Sequence, residues 1–174
     1  IRPLRWLIDV YVEVIRNTPF LVQIFFIFFG LPAIGISMSP NTAALVALVI
    51  NVGAYGTEII RAGIESIPRG QIEAGRALGL TPVQIFRYVV VKPALRNIYP
   101  SLTSQFIYLM LTSSVVSVIS ANDLASAGAD LNARTFASFE IYLVLTVMYF
   151  LLALGFSTLF ATIRRVFFTY PASR

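Results

Sequence analysis

The sequence predicts an all-α integral membrane protein, and three observations carry that reading. Of the 174 residues, 57% are hydrophobic and 12% charged, where a soluble domain carries about 25% charge. Four apolar stretches, 20–36, 42–60, 98–120 and 141–163, fall in or near the ~17–25 residues that a helix needs to cross ~30 Å of hydrocarbon. Once those spans are drawn, twelve of the thirteen basic residues lie on one face of the membrane.

Taken in order, the segment ahead of the first span holds Arg2, Arg5 and Arg16. The first span, 20–36, is rich in Phe, uncharged and short. A turn at 37–41 leads into the second span, which carries Gly53 and Gly56 and ends near Glu58 and Arg61, one helical turn apart and predicted to pair. The long loop 66–96 holds Arg69, Arg76, Arg87, Lys92 and Arg96. The third span, 98–120, closes in a hydroxyl-rich run, and a small-residue loop at 121–138 carries Arg134, the one cation on the opposite side. The fourth span ends at Arg164-Arg165, followed by Arg174. Lys and Arg favour short cytoplasmic loops, so the basic face, with the C-terminus, is expected in the cytoplasm. Pro19, Pro32, Pro40 and Pro100 sit at or near span ends, where a missing backbone donor costs least. The chain opens on Ile1 rather than Met, so a longer or processed native protein is expected, and no signal peptide is visible.

The chain holds no cysteine and no histidine. That removes thiol nucleophiles, imidazole bases, disulfides and the commonest zinc ligands, and an enzyme would be left with scattered carboxylates. A net charge of +5 does not point to nucleic acid when the cations orient spans and meet lipid or a partner. A self-sufficient secondary transporter or channel is the alternative. It would want ionisable groups inside its spans, and the span cores lack them.

The loop 66–96 is predicted as two short helices. Pro68 suits a first helical position, the helix runs to Leu78, and Gly79 provides an exit. Thr81-Pro82 restarts the chain with a hydroxyl cap and a proline in the first turn. Ile85, Phe86, Val89 and Val90 then recur at helical spacing, and Lys92-Pro93 is expected to end the second helix. Such a loop either lies on lipid headgroups or docks in a partner's groove.

The residues here resemble a known family. Glu73-Ala74-Gly75-Arg76-Ala77-Leu78-Gly79, nine further residues and Val89-Val90-Val91 resemble the EAA loop of the membrane subunits of ABC importers. Tyr11-Val12-Glu13-Val14-Ile15-Arg16-Asn17-Thr18-Pro19 with Phe20-Leu21-Val22-Gln23, then Gly30-Leu31-Pro32, Tyr55-Gly56-Thr57-Glu58-Ile59-Ile60-Arg61-Ala62-Gly63-Ile64 and Ala94-Leu95-Arg96-Asn97, look like permeases for polar amino acids of the histidine, glutamine and arginine type. The likeness covers about residues 11–166. It departs in two places: Gly75 stands where the family usually has a second Ala, and Lys92 where it usually has Pro, with Pro93 displaced by one.

The resemblance implies a type I ABC-importer transmembrane fold, four spans visible and five expected in the native chain, in the bacterial inner membrane. It implies a second permease subunit, identical or homologous, an extracytoplasmic amino-acid-binding protein, and a cytoplasmic ABC ATPase dimer that carries ATP and Mg; no cofactor is expected on this chain. Glu73, Ala74, Gly75, Arg76, Gly79, Phe86 and Arg87 would meet the ATPase. No residue is expected to be catalytic. Ser113, Ser117, Asn122, Asp123 and Glu140 are candidates for the substrate path, because polar groups in spans are either satisfied structurally or functional. The hydroxyls could equally bond back to their own helix, and the two carboxylates could be surface or structural charges. Gln23 and Gln105 are candidate buried amides. The substrate's side chain is not legible in these motifs.

Overall fold

A computed structural model describes residues 2–167 of the chain. Helix α1, Arg2–Arg16, meets helix α2, Phe20–Ile34, at a bend of 108°. The bend has a local cause. Pro19 adopts extended backbone, φ −62° and ψ 138°, and a proline disfavours helical geometry in the residue before it. Within α2, one α-helical turn gives way to a π-helical stretch at Phe26–Gly30 and a 3-10 turn at Leu31–Ile34. Gly35 then ends it at φ +84°.

Helix α3, Pro40–Glu65, starts with Pro40 in the first turn and with the Ser39 hydroxyl accepting the Thr42 N–H at 3.2 Å. Helix α4 is Arg69–Ala77. Helix α5 is one run of 38 residues, Pro82–Ile119, π-helical at Ile85–Val90 and 3-10 at Ser113–Ile119. Helix α6 is Leu124–Thr135, and helix α7 is Ser138–Phe167. Among the described residues three helices, α3, α5 and α7, are long and apolar enough to cross a membrane by themselves. The first predicted span, 20–36, is shorter as a helix and qualifies only together with α1, across the bend.

Two buried clusters hold the bundle. The outer one joins Ile24 and Ile27 of α2, Ala43, Ala44 and Ala47 of α3, Val116 and Ile119 of α5, and Ala121. The inner one joins Ile67, Ile85, Val90, Ala94 and Ile98. They work differently. Against water, burying an Ile contributes about 1.5–3 kcal/mol, so the inner cluster can hold an elbow outside the membrane. Against lipid there is no such gain, and close approach of small residues carries association instead. Ala43, Ala44 and Ala47 provide that face on α3, as does Gly63, whose missing Cβ leaves room for the Ile98 side chain. Gly128 of α6 likewise leaves room for Leu145 of α7.

The structure corrects four expectations. Pro100 does not stand at a helix end but lies inside the continuous helix α5. The second loop helix does not end at Lys92-Pro93. It continues as α5, because Pro93 follows a π-helical stretch, whose wider turn relaxes the contact with the carbonyl four residues back. The region 121–138 is not an open loop, since twelve of its residues form α6. Pro68 stands just ahead of Arg69, the first residue of α4, rather than within the helix. Arg174 lies outside the described residues.

Candidate functional site

The loop between α3 and α5 folds as a capped elbow. Gly79 takes φ +74°, and the Leu80 N–H returns to the Gly75 carbonyl at 3.1 Å while the Gly79 N–H reaches that of Arg76 at 2.9 Å. This pair of bonds closes the last turn of α4 around a left-handed glycine. Two residues on, Thr81 and Gln84 form a reciprocal cap: the Thr81 N–H donates to Gln84 Oε1 at 2.8 Å, and the Gln84 N–H to Thr81 Oγ1 at 3.4 Å. Gly75 is buried, and a Cβ there would sit 3.2 Å from Ile85 Cγ1. The residue that departs from the family's usual Ala therefore lets α4 lie closer on α5.

Ile67, Ile85 and Val90 face inward. Glu73, Ala74, Arg76, Phe86 and Arg87 face outward, exposed, and Glu73 forms no ion pair among the described residues. Arg87 stacks over the Tyr88 ring at 5.7 Å. Sequence reasoning missed the apolar part of this outer face. Leu78 is 79% and Val83 75% exposed, although both fall off the inward stripe of the helical pattern and could have been singled out on that ground.

Next to the elbow, Glu58 binds Arg61 at 2.6 Å and Arg16 at 3.6 Å, and Arg61 reaches Glu65 at 3.2 Å. The predicted Glu58–Arg61 pair is present and extends into a chain that ties the end of α1 to α3. Arg16 also lies 5.7 Å from the Tyr55 ring centre. Asn97 Nδ2 donates to Ser66 Oγ at 2.9 Å and Ser66 Oγ to the Gly63 carbonyl at 2.8 Å, joining α5 to the base of α3.

The candidates for a substrate path do not converge on one point. Ser113 Oγ donates to the Met110 carbonyl and Ser117 Oγ to that of Ser114, both at 2.7 Å, so the hydroxyls bond back to their own helix. The Asn122 N–H donates to Asn41 Oδ1 at 2.8 Å. Asp123 caps α6: its Oδ1 accepts the Ser126 N–H at 2.7 Å, and its own N–H donates to Ser126 Oγ at 2.8 Å. Asp123 Oδ2 is buried beside Tyr149 of α7. Tyr149, Ser114, Tyr142 and Thr146 line a cavity of about 540 Å³ between α5 and α7. Glu140 is exposed in the first turn of α7 and borders a separate, apolar cavity beside Gly128.

Of the two predicted amides, Gln23 is buried and bonded. Its Nε2 donates to the carbonyls of Ile15 at 2.7 Å and Thr18 at 3.1 Å, across the α1–α2 bend. Its Oε1 accepts from Asn51 of α3 at 3.1 Å. Gln105 Nε2 is buried without a partner among the described residues, at a cavity of about 350 Å³ lined by Gly56, Phe106 and Phe160.

Comparison with known proteins places this geometry. The family described as binding-protein-dependent transport system inner membrane component matches residues 2–167. The L-cystine transport system permease protein TcyB of Bacillus subtilis is 42% identical over 77% of this chain and 57% of its own length. The glutamine transport system permease protein GlnP of Escherichia coli is 39% identical over 90% of this chain and 72% of its own. The chain thus spans between about half and three quarters of the length of these relatives. A crystal structure of an amino acid ABC transporter with histidines superposes with a TM-score of 0.90 at 41% identity, covering 95% of this chain and 77% of that one. The MetNI methionine ABC transporter, at 24% identity and a TM-score of 0.68, shares the fold.

Proposed function

Because this chain belongs to the family of inner membrane components of binding-protein-dependent transport systems, we propose that it is the permease subunit of an ATP-driven importer for polar amino acids. Two such subunits, identical or homologous, form the path through the bacterial inner membrane. An extracytoplasmic binding protein delivers the substrate. A cytoplasmic ABC ATPase dimer carries ATP and Mg and performs the hydrolysis, and this chain contributes no catalytic residue.

The elbow carries this reading. Two helices, each stopped or started by hydrogen bonds of its own, hold Glu73, Arg76, Leu78, Val83, Phe86 and Arg87 on one outward face. An exposed apolar surface rimmed by charge marks a docking site, and a rigid element seated in a partner's groove can pass on that partner's motion. Glu73, Ala74 and Arg76 meet the ATPase from α4, Phe86 and Arg87 from α5, while Gly75 and Gly79 set the angle between the two helices.

The test is ATP-dependent uptake in vesicles reconstituted with the ATPase, together with copurification of the ATPase. Gly79→Pro cannot adopt φ +74°, and Glu73→Lys reverses an exposed charge that the fold does not use. Both variants are expected to insert normally and lose uptake. Wild-type uptake in both would remove the elbow from the coupling mechanism.

We further propose that substrate passes along Ser113, Ser117, Asn122 and Asp123 at the outer end of α5, beside the cavity under Tyr149, with Glu140 at its edge. The buried Oδ2 of Asp123, beside Tyr149 at that cavity, supports this, as a carboxylate oxygen that could receive an ammonium group. Asp123→Asn keeps a capping side chain and removes the charge. Reduced substrate affinity in Asp123→Asn is the expected result, and unchanged affinity and selectivity in both Asp123→Asn and Glu140→Gln would take the carboxylates out of the path.

A further inference from the structure

We propose that α1 is a membrane-surface helix, lying in the plane of the lipid headgroup layer with Leu7, Val10 and Val14 turned toward the acyl chains. Neither the cargo nor the ATPase enters this placement.

The sequence of α1 divides into three faces. Arg2, Arg5, Asp9, Glu13 and Arg16 recur every three or four residues and form one polar side, with Arg5 and Asp9 paired at 3.9 Å. Val12 is buried, and the Tyr11 hydroxyl donates to the Ile50 carbonyl at 2.6 Å, which identifies the face toward α3. On the third face Leu7, Val10 and Val14, again three or four residues apart, are 57%, 39% and 53% exposed. No part of the described chain covers them.

Water is a poor occupant for a contiguous apolar stripe, and the hydrocarbon core is a poor environment for the whole helix. Five of its fifteen residues are charged, and its length is ~22 Å at ~1.5 Å per residue, short of a ~30 Å core. A helix apolar on one side and charged on the other is stable where the two media meet. The geometry agrees. If α2 enters the membrane steeply, a bend of 108° turns α1 close to the membrane plane. Trp6, 64% exposed, sits at the border between the charged and apolar faces, where an amphipathic ring favours the interface. The ion chain from Arg16 through Glu58 to Arg61 places the end of α1 at the same membrane face as the basic loop.

Trp6 is the only tryptophan in the sequence, so it reports on α1 directly. The full chain would be placed in bilayers of phosphatidylcholine brominated near the headgroup or near the chain ends, with Trp6→Phe as the background. If the apolar face enters ~5–10 Å below the headgroups, shallow bromines should quench Trp6 roughly twofold more than deep ones, and acrylamide should quench it weakly. The chain is also free of cysteine, so single nitroxides at Leu7→Cys and Asp9→Cys give a second reading. The first should favour collision with oxygen and the second with a water-soluble nickel complex. Strongest quenching by deep bromines would mean that α1 enters the core. Strong acrylamide quenching without bromine quenching would place it in water, and protection from both in the assembled transporter would place it against a protein. Any of these three results overturns the proposal.

Discussion

At the scale of residues, the fold depends on a few polar side chains whose work is to satisfy backbone where helices break. Gln23 bonds the carbonyls left open by the α1–α2 bend, and Asn51 holds its other end from α3. Interhelical hydrogen bonds in membranes average about 0.6 kcal/mol and reach about 1.7, whereas a buried group left unpaired costs about 1–3. The unpaired group therefore dominates the effect of a single substitution. Gln23→Leu is expected to destabilise by about 1–3 kcal/mol, and Asn51→Leu by less, because Gln23 keeps its backbone partners. The double variant should cost less than the sum of the two, since neither then strands the other. Thermal denaturation of the four proteins in one detergent checks this, and strict additivity would break the proposed link. The amide of Gln23 was legible in the sequence as a polar group in an apolar run. The same rule would have found Asn51, which sits between Ile50 and Val52 in a longer such run. The partners of either amide were not legible, because they depend on a tertiary contact and on a bend.

At the scale of elements, caps and prolines were read well where the chemistry is local, as at Pro40, Thr81-Pro82 and Gly79. They were misread where a neighbouring distortion changes the rule. Pro93 would stop an ordinary α-helix, but the π-helical stretch before it absorbs the proline and joins the elbow to the third span without a break. Helix α6 escaped notice because its small residues carry no strong apolar period, although Asp123 and Ser126 had the spacing of a cap. The glycines that set helix separation are testable. A Cβ on Gly63 would overlap the Ile98 side chain, so Gly63→Ala should force α3 and α5 apart at a cost of about 1–3 kcal/mol. Ile98→Ala should recover part of that loss in the double variant, and absence of any recovery would show that the two helices do not meet there. Gly79→Ala is a contrasting case. Nothing lies near its missing Cβ, so only the positive φ opposes it, at ~1–2 kcal/mol. Uptake should survive Gly79→Ala while Gly79→Pro abolishes it.

At the scale of the whole molecule, charge sets orientation. Arg16, Arg61 and the elbow's cations gather at one end of the bundle, with Arg164 and Arg165 closing α7, and Arg134 in the last turn of α6 is the exception. Insertion follows the bias of Lys and Arg in short loops, and moving this many cations across the membrane would cost far more than any loop contact could return. The elbow should therefore face the cytoplasm and α6 the outside. Since the chain contains no cysteine, one introduced thiol at a time reads this out. Val83→Cys lies on the exposed apex of the elbow and Ala133→Cys on the exposed side of α6, and neither position contributes a hydrogen-bonding side chain. In intact cells a membrane-impermeant maleimide should label Ala133→Cys and spare Val83→Cys, and opening the inner membrane should expose Val83→Cys to the reagent. The reverse pattern would put the elbow outside, out of reach of any cytoplasmic ATPase, and would overturn the orientation and the coupling proposal together. Labelling of both sites from outside would instead show that α5, the candidate span that separates them, does not cross the membrane.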